Sequence, residues 1–281
     1  MRRRTLLLWT AGILVAVWSL LPVYYAFVVS FAAEGAIPTH LGLPSEWTWF
    51  NWRDVLFGGG MGQLSGQMSD PVWPYMQNSL VVGACVSVLT VGIVLPAAYT
   101  FSRYRSRSSR VVMISLLFFR MIPVIALAIP VYFLMRTLGL LGSWESLAFA
   151  QLIYTVPLAA WLLKGYFDML PIEVEESALI DGASRLTILR RIVIPLSRPG
   201  LAVVVMFSFL LSYIEYLFAS SLPSTIQSTM PVRMGLFITP HMTLWRPLAV
   251  TALLSTVPMI ILFLFLQRHL VRGLTFGAVK Q

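Results

Sequence analysis

"EESALIDGASRLTILRRIVIPLSRPG" runs from Glu175 to Gly200 and divides two apolar runs, about 147–167 and 200–220. It carries seven charged residues of both signs in a chain that is 58% hydrophobic and only 11% charged. Soluble domains carry about 25% charged residues. With less than half that share and a mean hydropathy of +0.82, the chain reads as an integral membrane protein. The quoted stretch then reads as a loop outside the bilayer.

Working outward, a membrane-spanning helix needs roughly 20 mostly apolar residues. Six runs qualify: about 6–30, 79–101, 111–135, 147–167, 200–220 and 248–267. No segment alternates with period two, which argues against a β-barrel. The expected fold is an all-α integral membrane protein, a single transmembrane domain over 1–281. The long loops between spans fall at 31–78 and 221–247, both external with the N-terminus inside, and the charged loop covers 168–199, between spans 4 and 5. The first run follows Arg2, Arg3 and Arg4 and is longer than the 7–15 residues of a signal-peptide core, so it reads as an uncleaved span. With the N-terminus inside, fourteen of the twenty Lys and Arg residues lie in inner segments and four in outer ones. That asymmetry predicts cytoplasmic termini and a cytoplasmic charged loop, and it absorbs the net charge of +9 without nucleic acid. Cys85 is the only cysteine, so no intrachain disulfide exists. Pro22, Pro96, Pro123, Pro130, Pro157 and Pro258 fall within spans, where each can kink its helix.

The loop reads as two short helices. Pro171 can open the first, and Glu173, Glu175 and Glu176 favour its positive N-terminal end. Asp181-Gly182 suggests a stop, with Gly182 free to take positive φ. Ser184 is a good N-cap for the second helix. Leu186, Leu189, Ile192 and Val193 recur at helical spacing, Arg185, Arg190 and Arg191 crowd the other faces, and Pro195 and Pro199 end the helix. An amphipathic helix lying on lipid would explain the basic half, but anionic lipid would repel the acidic half. A protein partner suits both signs.

At these residues the chain resembles a known family. Permeases of ABC importers carry a loop of pattern E-A-A, three residues, G, nine residues, I-x-L-P. The match here is Glu176-Ser177-Ala178, Gly182, and Ile192-Val193-Ile194-Pro195, with all spacings kept and Ser177 and Ile194 departing from the pattern. "WLLKGYFDMLPIEVEESALIDGAS" (161–184) and "VRGLTFGAVKQ" (271–281) resemble the oligosaccharide-uptake branch, in particular its maltose-type second permease. "SYIEYLFA" (212–219) is similar but lacks the branch's usual Trp-Asn pair, at Tyr213-Ile214. The resemblance covers the chain from about residue 78 onward.

What the resemblance implies is a multi-pass permease of the plasma or inner membrane. Its loop is a coupling helix pair that docks on a cytoplasmic ATPase. The residues implied in docking are Glu175, Glu176, Ser177, Ala178, Asp181, Gly182, Ala183, Arg190, Ile192 and Pro195. The partners implied are a second, homologous permease chain forming a heterodimer, two ATPase subunits, an extracytoplasmic solute-binding protein and a sugar-like substrate. The chain is expected to bind no cofactor and not to be an enzyme: its two lysines, Lys164 and Lys280, fit no P-loop, so ATP and Mg²⁺ belong to the ATPase subunits. Substrate would move inward by alternating access.

Other residues bear two readings each. Arg120 either serves the path within the third span or sits near its cytoplasmic end. Glu215, with neighbouring Tyr213, either lines the translocation path or satisfies a neighbouring helix. Lys164 is expected to reach toward the inner surface. His40, His241 and His269 show no metal spacing. Trp47, Trp49, Trp52 and Trp73 suit interfacial anchoring better than sugar stacking. Segment 31–77, with Gly58-Gly59-Gly60, Met61, Met68 and Met76, is expected to be partly ordered. Segment 221–246 is stiffened by Pro223, Pro231 and Pro240, and either segment could meet a binding protein. A secondary transporter or channel would need paired intramembrane charges, and the spans offer little beyond Arg120 and Glu215. An intramembrane hydrolase would need a catalytic set at membrane depth, which is missing from the spans.

Overall fold

The structure, a computed structural model, describes residues 2–59, 70–104, 106–222 and 228–276. Gly60, Met61, Met68, Arg105, Pro223 and the tail from Gly277 onward lie outside the described residues. Among the described residues the regular structure is helical, with two isolated antiparallel bridges, Ala32 with Trp47 and Ile238 with Thr243. In chain order the helices are α1 (Arg2–Ser30), α2 (Phe50–Phe57), α3 (Trp73–Arg103), α4 (Arg107–Phe119), α5 (Val124–Thr137), α6 (Trp144–Asp168) and α7 (Glu173–Ile180). They continue with α8 (Arg185–Ile188), α9 (Ile194–Leu196), α10 (Arg198–Tyr213), α11 (Leu217–Ser221), α12 (Met230–Leu236) and α13 (Trp245–Phe276).

Five segments are long and apolar enough to cross a membrane: Leu7–Ser30, α3, α6, Arg198–Ser221 and Trp245–Gln267. The expected third span is not one helix. It is the pair α4 and α5, bent by 99° across Arg120–Pro123. Pro123 supplies no N–H and crowds the carbonyl four residues back, and it biases Ile122 away from helical geometry. The helix therefore closes in short-range bonds, Met121 N–H to Phe118 O (3.0 Å) and Ile122 N–H to Phe119 O (3.3 Å), and restarts after the proline. Pro22, Pro96, Pro130, Pro157 and Pro258 all sit inside continuous helices.

The chain gathers into two compact units. One comprises Met1–Met76 and Val232–Pro258. Three of the four tryptophans named from the sequence, without Trp73, gather around a residue that was not singled out there. Phe31 lies 4.9 Å from Trp49, 5.4 Å from Trp52 and 6.0 Å from Trp47, ring centre to ring centre. Asn51 Nδ2 donates to Ser30 O and Ala32 O at 3.0 Å each, satisfying carbonyls that the end of α1 leaves without helical partners. Arg233, one of the four cations that the sequence reading assigns to outer segments, is buried, its guanidinium 5.0 Å from the ring centres of Tyr75 and of Phe237, and its Nη2 donates to Asp70 O at 2.6 Å. Burial pushes the Asp54 carboxyl above its ordinary value, and the Arg233 charge only partly offsets that.

The other unit comprises Gln77–Pro231 and Met259–Gln281. Here α3, α6 and α10 pack closely because small residues meet rings: Gly83 faces Phe209, and Gly200 faces Tyr166. Polar contacts knit the same helices, with Thr90 and Thr155 hydroxyls 3.1 Å apart and Ser87 Oγ donating to Val205 O at 3.5 Å. The core they enclose includes Val94, Ala98, Ala159, Leu163, Phe167 and Val204, and it extends directly into the 168–199 loop.

Candidate functional site

The loop forms the two short helices its sequence suggests, with one addition and one correction. Pro195 does not end the second helix but lies within α9, and Pro199 stands in the first turn of α10, where a missing N–H is harmless. Helix α7 ends at Asp181 in a paired-bond turn: Ala183 N–H donates to Ala178 O (2.9 Å) and Gly182 N–H to Leu179 O (3.0 Å). Gly182 holds φ 83°, which its missing Cβ makes inexpensive. Ser184 caps α8, its Oγ accepting from Thr187 N–H at 3.2 Å. The addition is a π-helical turn over Leu189–Val193, where Ile194 N–H reaches Leu189 O. Pro195 follows at once. Its ring cannot sit on the carbonyl four residues back, and the wider turn ahead of it makes room.

The loop's apolar residues divide between two directions. Ile188, Leu189 and Val193 are buried against α3 and α6, with Ala178, Leu179, Ala183 and Ile192 packed around them. Ile180, at 87% exposure, and Leu186, at 56%, project away from the chain, with Ile172 and Val174 also exposed. Leu186 was expected on the same face as Leu189 and Val193; the structure turns it outward. Along the same loop Glu173, Glu176, Ser177, Asp181, Gly182, Arg190 and Arg191 are exposed, Arg185 is exposed but also interacts with Tyr99, and Pro195 is half-buried.

Glu175 departs from the expectation that it meets a partner. It is 2% exposed, and both its oxygens are taken within this chain. Tyr99 OH donates to Oε2 at 2.8 Å, Arg103 Nε donates to Oε1 at 2.8 Å, and Arg103 Nη2 lies 2.6 Å from the same Oε1. Arg103 Nη1 also donates to Phe167 O and to Ser102 Oγ, 3.1 Å each. Ser102 Oγ in turn donates to Asp168 Oδ1 at 2.7 Å, and Lys164 Nζ pairs with Asp168 Oδ2 at 2.6 Å. The physical reason is burial: α7 lies against the ends of α3 and α6, and a carboxylate there must find charge and donors. The signal that pointed to this role was faint. Arg103 lies 72 residues away and in the sequence is one of fourteen inner-segment cations with nothing to set it apart.

The three residues expected along a translocation path occupy different surroundings. Arg120 is exposed in the break between α4 and α5, not inside a continuous helix. Tyr213 is buried with its ring stacked 5.6 Å from that of Phe209. Glu215 is buried, with its carboxylate engaged inside the chain. It caps α11, accepting from Phe218 N–H at 2.7 Å and Ala219 N–H at 3.1 Å. Gln151 Nε2 reaches it at 3.4 Å, and the amide oxygen of that glutamine accepts from Ser212 Oγ. A lone carboxylate in an apolar run is held where a helix N-terminus and an amide can satisfy it. His40 and His241 join no metal-ligating cluster among the described residues.

Residues 89–276 match the family described as "Binding-protein-dependent transport system inner membrane component". The chain belongs to this family. As a permease it is 33% identical over 282 residues to the trehalose/maltose transport system permease protein MalG of Thermococcus litoralis, covering 99% of this chain and 97% of the relative. It is likewise 33% identical over 281 residues to the maltose/maltodextrin permease protein MalG of Vibrio parahaemolyticus, covering 95% and 94%. In fold the permease is similar to a bacterial ABC transporter that imports the acidic polysaccharide alginate, with a TM-score of 0.72 at 21% identity, over 95% of this chain and 98% of the other. The permease is thus a multi-pass inner-membrane component of a binding-protein-dependent ABC importer.

Proposed function

We propose that the permease is the translocating subunit of an ATP-driven importer for a sugar or oligosaccharide, with loop 168–199 docking on a separate cytoplasmic ATPase. The observation that carries this reading is the outward patch of the loop. Ile180 and Leu186 are left exposed on either side of a turn that Gly182 and Ser184 hold in one shape, on a loop that also exposes Glu173, Glu176, Asp181, Arg190 and Arg191. Burying one such isoleucine contributes about 1.5–3 kcal/mol. A water-exposed loop keeps such a patch where a partner covers it.

The sugar class is supported by the names of the relatives, which transport trehalose, maltose or maltodextrin. A second permease chain, two ATPase subunits carrying ATP and Mg²⁺, and an extracytoplasmic binding protein complete the assembly. Both termini face the cytoplasm in this reading, as the fourteen-to-four split of cations supports. The test is reconstitution of the full assembly in vesicles, with ATP hydrolysis and uptake measured across a panel of mono- and oligosaccharides. Stimulation by one saccharide group is expected; indifference to every sugar, with uptake of another solute, overturns the substrate class. A reporter fused at Gly60 is expected outside and one within 185–191 inside, and the opposite result overturns the orientation.

A further inference from the structure

We infer that Arg103, Tyr99 and Glu175 form a lock that makes α7 move as one piece with the end of α3, so that a displacement of the loop passes straight into the second span. The inference rests on the docking reading of the loop but concerns a different set of residues, those turned away from any partner. Helix α7 has eight residues and ends at a glycine turn. Its inward apolar contacts come mainly from Ala178 and Leu179, both only half-buried. Apolar contact of that size is non-directional and lets a short helix slide or roll. The Glu175 carboxylate removes that freedom. It meets a phenol and a guanidinium from two successive turns of α3, at 2.6–2.8 Å, with side-chain exposure of 6% for Arg103 and 3% for Glu175.

Arg103 also holds the last turn of α6 through Phe167 O, and Ser102 holds it through Asp168. One guanidinium therefore ties three helix ends. A buried ion pair is a poor source of stability, since apolar residues of the same volume often do as well. Its distinguishing property is directional geometry, which a joint that transmits motion needs. Arg103 and Glu175 are thus positioning residues: they set where α7 stands relative to the span it drives.

The test uses the assembled importer in vesicles, reading ATPase co-purification, ATP hydrolysis and sugar uptake per ATP. Glu175→Gln is expected to keep the ATPase bound while uptake per ATP falls about tenfold or more, the scale of one charge-assisted hydrogen bond. Arg103→Lys keeps the charge but loses the fork that reaches Glu175, Ser102 and Phe167 O together, and it is expected to lower uptake per ATP at unchanged assembly. The exchange Arg103→Glu with Glu175→Arg is expected to recover part of the coupling that either single reversal abolishes. A pair that served only folding would lower the amount of assembled complex and leave uptake per ATP unchanged in what remains. That result, in Glu175→Gln or, should that variant fail to insert, in Arg103→Lys, overturns the inference. Loss of the ATPase from Glu175→Gln overturns it too, because Glu175 would then be a docking residue. Failure of the docking reading shows separately, as a Glu176→Lys complex that still holds its ATPase.

Discussion

Glu175 and Glu176 are adjacent in one turn of α7 and have opposite surroundings. The first is buried in an ion pair with Arg103, and the second is exposed beside Ile180 on the outward side of the loop. Sequence reading gave them one role; the helix, turning about 100° per residue, gives them two.

Glu176→Lys is expected to loosen the ATPase from the membrane complex. A charged hydrogen bond across a partly desolvated groove contributes about 1.5–3 kcal/mol, and a reversed charge turns that attraction into repulsion. An opposite change on the ATPase is expected to restore part of the co-purification. If Glu176 merely favours the first turn of α7, worth about 0.3–1 kcal/mol, Glu176→Lys co-purifies its ATPase at wild-type levels.

Gly182→Val is expected to cut uptake while membrane insertion stays normal. Space is not the obstacle, since a Cβ at 182 would have no neighbour within 4 Å. The cost is in the backbone, φ +83°, about 1 kcal/mol or more for a β-branched residue. Gly182→Asn, which tolerates that conformation better, is expected to retain more uptake than Gly182→Val. Equal uptake by wild type, Asn and Val variants would show that the turn is not needed.

Gly200→Ala separates propensity from packing by the sign of its effect. In an open helix the change stabilises by about 1 kcal/mol. Here the new Cβ would lie 2.5 Å from Tyr166 Cγ, in the rigid part of the ring. Overpacking of this kind costs about 1–3 kcal/mol, so a lower midpoint of thermal unfolding in detergent is expected. Pairing the change with Tyr166→Leu is expected to restore most of the loss. A higher midpoint for Gly200→Ala alone contradicts the close contact of α10 with α6.

The Asp54 carboxyl gives a pH dependence with a definite sign. Its folded-state pKa is raised, chiefly by burial. The protonated form is therefore favoured by folding. That contribution is complete below the ordinary carboxylate value near 4 and is lost as pH rises through the raised value. Asp54→Asn is expected to flatten the loss, gaining relative stability from mildly acidic to neutral pH and little at pH 4. Parallel unfolding curves against pH for wild type and variant would contradict a raised Asp54.

The sequence by itself determined the helical class, the six apolar runs, the loop, its glycine turn and its Ser184 cap. These are decided within a few residues, by apolar run length, by the φ freedom of Gly182 and by the N-cap preference of Ser184. The break at Arg120–Pro123 was half legible: Pro123 was visible, but whether a proline bends a helix or breaks it depends on what packs around the freed carbonyls, and Pro157 in α6 causes no break. Only the tertiary structure decided which loop residues face outward and which carboxylates are spent inside the chain. Glu175 with Arg103, Glu215 with Gln151 and Phe31 with its three tryptophans are pairings between helices or between a helix and a loop. No local pattern encodes them, because the partner of a buried charge or ring is set by where a distant segment packs.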